Sequence, residues 1–106
     1  MRRALKQTNA KAWMAGLRAE QSSYRASLSC ASKKGNQVKI HPILRFTQQD
    51  VDDYLKKHSL PYHPLYHKGY RSIGDWHSTK PTSPGTDPRD GRLLGEKKEC
   101  GIHLTT

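Results

Sequence analysis

At 106 residues the chain is one domain at most, and only 33% of its residues are hydrophobic. That share, with a mean hydropathy of -0.93, is poor material for a core, and a chain this short leaves much of its surface exposed even when folded, so it reads as a piece of a fold. The formal net charge of +10, from 19 Lys and Arg against 9 Asp and Glu, points to an anionic partner: nucleic acid, an acidic protein surface or a small multiply phosphorylated ligand. The basic residues are spread along the chain and do not form a tail. No apolar run approaches the ~20 residues of a membrane span, and no charged start leads into a short apolar stretch and a cleavage site. The expectation is a soluble protein of the cytosol or an organelle stroma. Cys30 and Cys100 lie in unrelated contexts and are too few for a four-thiolate iron–sulfur cluster. None of the six histidines falls in a zinc-binding spacing, so no metal site is expected.

In chain order, Ala4 to Ala10 opens with good helix formers and predicts a short helix or the end of a longer one. The run Ala12-Trp13-Met14-Ala15-Gly16-Leu17 is nearly all apolar and short for a helix. It predicts a strand buried on both faces, as in a parallel sheet. Arg18 to Asn36, rich in Ser, Arg and Lys, reads as loop. Val38, Ile40, Ile43 and Leu44 predict a strand interrupted at Pro42. Thr47 is the best helix start: its hydroxyl can cap the following amides, and Asp50 stands at the reciprocal position. Val51, Tyr54 and Leu55 then share one face, Lys56 and Lys57 suit the helix end, and Pro61 and Pro64 are expected to terminate it. From Pro61 onward regular patterning disappears, with turn signals at Ser83-Pro84-Gly85 and Asp87-Pro88. Tyr62, Tyr66, Tyr70 and Trp76 argue against disorder and for an ordered, ligand-shaped surface. The division expected is therefore a helix and strand portion over 1–60 and a loop-rich segment over 61–106.

Three constellations can carry chemistry. The first is Cys100 in Glu99-Cys100-Gly101-Ile102-His103. A thiol with a pKa near ~8.5 is mostly protonated at neutral pH, and a nucleophilic cysteine needs a cationic or hydrogen-bonding setting. Lys97, Lys98 and His103 can supply one, with Glu99 opposing them, and Gly101 permits close backbone approach. The alternative, a buried cysteine acting as a small hydrophobe, is disfavoured by the charged neighbours. The second constellation is two pairs of arginines, Arg18 with Arg25 and Arg89 with Arg92. Guanidinium forks bind phosphate and sulfate oxygens in bidentate fashion; solvated surface arginine is the alternative for each. The third is Ser72-Ile73-Gly74-Asp75-Trp76-His77-Ser78-Thr79. There Trp76 can stack or pack, and His77 can be a proton donor or a surface residue.

Several segments, all in this order, closely resemble the C-terminal half of the phosphoadenylyl-sulfate (PAPS) reductases. They are Gly16-Leu17-Arg18-Ala19-Glu20-Gln21-Ser22 with Arg25, Leu60-Pro61-Tyr62-His63-Pro64-Leu65-Tyr66, Gly69-Tyr70 leading into Ser72 to Thr79, and Glu99 to His103. The resemblance covers essentially the whole chain. The Glu-Cys-Gly-Ile-His signature together with Gly-Asp-Trp-His makes it specific; either alone would be suggestive only.

The resemblance implies an α/β fold, the C-terminal portion of an adenine-nucleotide alpha-hydrolase-like parallel sheet followed by a loop-rich catalytic tail. It implies that Cys100 attacks the sulfonate sulfur of PAPS and expels adenosine 3',5'-bisphosphate. A thioredoxin or glutaredoxin thiolate then attacks the S-sulfocysteine and releases sulfite, which is thiol exchange at a sulfur centre. Arg18, Arg25, Arg89 and Arg92 match the family's anion-binding positions and would neutralise sulfonate and phosphates; His103 and His77 are supporting candidates. Family members with an iron–sulfur cluster carry a Cys-Cys pair and a Cys-x-x-Cys. Here Asp75 and Ser78 stand where the second motif has cysteines, so the resemblance implies no bound cofactor, no cluster and no role for Cys30. The family's Ser-Gly-Gly-x-Asp-Ser-type nucleotide loop does not occur in this sequence. The expectation is a truncated or split reductase, or a gene model started too late, with an N-terminal half or a second copy of the chain as partner. The implied setting is cytoplasmic, or the plastid stroma in a eukaryote, with neither membrane nor nucleic acid involved. Two other readings stay open: an inactive remnant, and a basic module that binds nucleotide or nucleic acid without needing Cys100.

Overall fold

A computed structural model describes residues 1–74 and 76–92, with the backbone but not the side chain of residue 77. Its residues cluster into a first unit, Met1–Asp53, and a second that begins at Tyr54.

The first unit is a small mixed α/β layer. Helix α1 (Arg2–Gln7) ends where Asn9 adopts a left-handed φ of 48°. The Asn9 and Ala10 amides donate back to the carbonyls of Lys6 and Leu5, which satisfies the last turn. Strand β1 (Ala12–Met14) pairs in parallel with β3 (Gln37–Ile40), and β2 (Ala31–Lys34) pairs antiparallel on the other side of β3, giving the order β1-β3-β2. β2 and β3 form a hairpin whose two-residue loop, Gly35-Asn36, has Gly35 at φ +61°. Glycine at the first loop position is the arrangement of a II′ turn, which a residue with a Cβ resists.

Three expectations from the sequence are corrected here. The apolar run at Ala12 to Leu17 is not a strand buried on both faces: β1 has three residues, Ala12 and Met14 are exposed, and Met14 is 71% accessible. Burial falls instead on Ala15 and Leu17, which with Leu5 and Leu44 make the apolar core. Nor is the stretch from Arg18 to Asn36 a loop. It contains a 3-10 turn (Ala19–Gln21), the one-turn helix α2 (Ser23–Ala26) and β2, whose side chains are all exposed and so lack any alternating pattern. The strand expected over Val38 to Leu44 with an interruption at Pro42 is shorter than that: β3 closes at Ile40, and residues 42–45, with Ile43 and Leu44, form a turn.

Helix α3 (Gln48–Lys57) starts as its sequence requires. The Asp50 amide donates to Thr47 Oγ1 at 3.1 Å, and the Thr47 amide donates to Asp50 Oδ2 at 2.8 Å. Its end is not set by proline. Ser59 takes a left-handed φ of 51°, and the amides of Ser59 and Leu60 donate to the carbonyls of Lys56 and Leu55, closing the helix before Pro61 is reached.

The second unit has no strand longer than one residue among its described residues. It is built of 3-10 turns at Tyr66–Lys68, Trp76–Ser78 and Pro88–Gly91, joined by an antiparallel bridge between Thr79 and Arg92. Gly69, at φ 89°, lets the Tyr70 amide reach the Leu65 carbonyl, while its own carbonyl accepts from the Thr82 amide at 2.9 Å. Tyr62 stacks on Tyr66 with centroids 4.7 Å apart, and His67 meets both edge-on. Arg71 donates to Thr82 Oγ1, to the Ser83 carbonyl and to the Thr86 carbonyl, which ties the 82–86 turn to the preceding segment. Turn-forming backbone bonds and the Arg71 side chain together order the loop backbone in this unit.

Candidate active site

Arg18 leaves the sheet at the C-terminal end of the parallel strand β1, the end at which open α/β sheets bind ligands. The Ala15 amide still donates to the Ile40 carbonyl and Leu17 is buried, so the chain is held up to the residue before Arg18. Arg18 is extended and caps the following 3-10 turn: its amide donates to Gln21 Oε1 at 3.1 Å. Ser22 begins α2 by accepting the Arg25 amide on its hydroxyl at 3.2 Å. That turn carries the Arg25 side chain inward, where only 5% of the residue remains exposed and Nη1 donates to the same Gln21 Oε1. One amide oxygen therefore holds the backbone of Arg18 and the guanidinium of Arg25.

The two arginines differ in what else they meet. Arg18 donates from Nη1 to Glu20 Oε1 at 2.7 Å and from Nη2 to Gln48 Oε1 at 2.8 Å, so two of its five N–H donors are committed. An anion binding Arg18 competes with Glu20 for the guanidinium. The Glu20 side chain is 40% exposed and that of Arg18 12%, so water reaches the pair from the Glu20 side. Gln48, at the start of α3, fixes the Arg18 fork from the other side.

Arg89 and Arg92 belong to the second unit. Asp87 caps the Pro88–Gly91 turn, accepting the Arg89 amide on Oδ1 at 2.9 Å, with Pro88 preset at the first position. Arg92 donates from Nη1 to the Ile73 carbonyl at 3.0 Å, and its Nε is buried with no hydrogen-bond partner among the described residues. The guanidinium lies against Gly74, where a Cβ would stand 2.1 Å from Nη2. Arg92 is thus a strut that sets the start of the Gly74 to Ser78 segment. Within that segment the Gly74 amide donates to Thr79 Oγ1 at 3.0 Å, Ser78 is buried, and Trp76 is 90% exposed.

The structure brings Arg18 and Arg25 together on Gln21 and places Arg89 and Arg92 on one turn and its exit. Cys100 and His103, as well as the His77 side chain and Asp75, lie outside the described residues. Gln21 and Gln48 were not given roles by sequence reasoning. Gln21 carried a signal, since it stands three residues after Arg18 at a capping-box position; Gln48 carried none, being 30 residues away along the chain.

The family model described as "Phosphoadenosine phosphosulfate reductase domain" matches residues 1–81. A phosphoadenosine 5'-phosphosulfate reductase of Xanthomonas campestris pv. campestris (strain B100) is 50% identical over 103 residues, 97% of this chain and 43% of that protein. The protein of the same name from Synechocystis sp. is 48% identical over 105 residues, 98% of this chain and 42% of its own length. Among solved structures, the phosphoadenylyl-sulfate reductase of Candida auris, in a phosphate complex, superposes with a TM-score of 0.60 at 32% identity, covering 74% of this chain and 37% of that one. The chain spans less than half the length of these curated relatives.

Proposed function

The chain belongs to the phosphoadenosine phosphosulfate reductase family, and on that premise we propose that it carries the sulfur-transfer step of PAPS reduction, with Cys100 as nucleophile. The Cys100 thiolate forms an S–S bond to the sulfonate sulfur while the S–O bond to the phosphate breaks, and the departing electron pair leaves on adenosine 3',5'-bisphosphate. A thioredoxin or glutaredoxin thiolate then attacks Cys100 Sγ and sulfite leaves with the S–S electron pair. The second thiol of the reductant resolves the mixed disulfide and returns Cys100 as thiolate. The two electrons come from the dithiol, so the balance requires no bound redox group.

The observation that carries this reading is the Arg18–Gln21–Arg25 arrangement at the C-terminal end of β1. One amide oxygen fixes the Arg18 backbone and the Arg25 guanidinium, while Glu20 and Gln48 hold the Arg18 guanidinium, so positive charge is in place before an anionic substrate arrives, as stabilisation of a charged transition state demands. Arg89 and Arg92, in the second unit, are proposed as further anion-binding residues, with His103 and His77 as supporting groups. No cluster is proposed, because Asp75 and Ser78 occupy the cluster-ligand positions of the family's iron–sulfur branch; stoichiometric iron and sulfide in purified protein would refute that part. Among the described residues no helix is long and apolar enough to cross a membrane. A reducing compartment, the cytoplasm or a plastid stroma, suits a catalytic thiol and its dithiol partner.

The test is sulfite release from PAPS with reduced thioredoxin. Cys100→Ser is expected to abolish turnover and Cys30→Ser to leave it intact; equal behaviour of the two variants would reject Cys100 as nucleophile. A chain that binds single-stranded nucleic acid with steep salt dependence, and does not bind adenosine 3',5'-bisphosphate, would reject the reductase reading altogether.

A further inference from the structure

The two edges of the three-stranded sheet are built differently. Between β1 and β3 the Val38 amide donates to the Lys11 carbonyl and the Ala15 amide to the Ile40 carbonyl. The backbone of residues 11, 13 and 15 therefore faces β3, and alternation turns the N–H and C=O groups of Ala12 and Met14 to the outer edge. β1 ends the sheet on that side, so no strand among the described residues meets them. On the far side, the His41 amide donates to the Cys30 carbonyl and bonded pairs alternate from there, which turns the backbone of Ala31 and Lys33 outward from β2.

Edges that stay open in a finished sheet are blunted by charge, proline or bulges. β2 meets that requirement, with Lys33 and Lys34 among its four residues. β1 does not: Ala12-Trp13-Met14-Ala15-Gly16-Leu17 carries neither charge nor proline. The face beside this edge is unfinished as well. Helix α1 lies on the face of Trp13 and Lys39, since its Leu5 and Lys6 line one cavity with those two residues. On the opposite face Ala12 and Met14 are exposed, and Val38 and Ile40, their partners on β3, are only half-buried. A parallel pair is ordinarily covered on both faces, and sheets average ~5–6 strands where this one has three.

We propose that the outer edge of β1, with the face of Ala12, Met14, Val38 and Ile40 beside it, is the docking surface for the part of the family's polypeptide that these 106 residues do not match. That part adds a strand to β1 and lays apolar side chains against Met14. Length favours this occupant: the chain spans 43% of the Xanthomonas campestris protein and 42% of the Synechocystis one, so more than half of each has no counterpart here. A second copy of the chain is a poorer occupant, because each copy carries a net charge of +10 and the two repel. The inference rests on membership of the family and on neither Cys100 nor the proposed chemistry.

The test co-expresses the 106-residue chain, carrying an affinity tag, with the part of the Xanthomonas campestris protein outside the matched 103 residues. Purification on the tag is expected to yield a complex in which the amides of Ala12 and Met14 exchange about tenfold more slowly than in the isolated chain, while those of Ala31 and Lys33 exchange as before. Met14→Pro removes an outward N–H and no bond to β3. It and Met14→Lys should each weaken association about tenfold or more, whereas Met14→Leu should associate like the parent. Retained protection of the Ala15 and Val38 amides shows that a variant is folded; where Met14→Pro loses it, Met14→Lys, a change at an exposed side chain, decides. The proposal is overturned if no complex forms, if protection appears at Ala31 and Lys33 in place of Ala12 and Met14, or if the folded Met14 variants all associate like the parent. It is also overturned if the isolated chain dimerises through Ala12 and Met14.

Discussion

The two units place their arginines by opposite means. In the first, regular elements bring Arg18 and Arg25 to position: a parallel strand ends, a capped turn follows, and one glutamine accepts from both. In the second, the arginines do the ordering, since Arg71 gathers the 82–86 turn and Arg92 props Ile73 and Gly74. Arg71 and Arg92 therefore take their loops with them when altered, whereas the elements that place Arg18 and Arg25 are built by other residues.

The largest effect that would sharpen this contrast is expected at Gly91, where a Cβ would stand 2.3 Å from the Lys80 carbonyl oxygen, a backbone atom that cannot swing aside. Gly91→Ala should destabilise the second unit by about 1–3 kcal/mol, the usual cost of overpacking. The Lys80 amide, which donates to the Gly91 carbonyl, should lose hydrogen-exchange protection while the amides of β3 keep theirs. Equal loss in both units would break the comparison.

Next comes Gln21→Ala. It removes the acceptor shared by Arg18 and the buried Arg25, for a cost of about 1–3 kcal/mol in urea unfolding. If Gln21→Ala matches the parent in stability, the first unit does not depend on that link. A parallel question for the second unit is whether Gly74→Ala and Arg92→Ala act through one contact. The alanine must expel the guanidinium, so the double variant should be no less stable than the worse single one, and additive losses would show the two to be independent.

Smaller effects remain in the first unit. Thr47→Ala should cost about 1 kcal/mol by uncapping α3. Lys39 gives a pH signature. Its folded pKa is lowered by burial, so across the interval from that value up to the ordinary lysine pKa the unfolded chain binds more protons and stability rises with pH. Lys39→Met should flatten that rise in urea titrations; an unchanged slope would assign it to another group.

What the sequence disclosed follows from how local each signal is. Helix α3 was legible because Thr47, Asp50 and the spacing of Val51, Tyr54 and Leu55 lie within a few residues of one another. β2 was not, since Ala31-Ser32-Lys33-Lys34 presents every side chain to solvent and gains its place from β3. Gly35-Asn36 was the available hairpin signal, masked by its basic surroundings. β1 is shorter than its apolar run suggests, because apolar content does not mean two-sided burial: Met14 is exposed and Leu17 is buried beyond the strand. At the site, the arginines stand in recognisable motifs, whereas Gln48 beside Arg18 and the Ile73 carbonyl beside Arg92 lie 30 and 19 residues away along the chain, which no local pattern encodes.

The central claim is that Cys100 accepts the sulfonate. Incubating the protein with PAPS in the absence of thioredoxin and digesting it for mass spectrometry tests that claim most directly. One SO₃ group should appear on the Cys100 peptide, disappear on addition of reduced thioredoxin with release of sulfite, and be absent from Cys100→Ser. A sulfonate on Cys30, or sulfite release by Cys100→Ser, would contradict it.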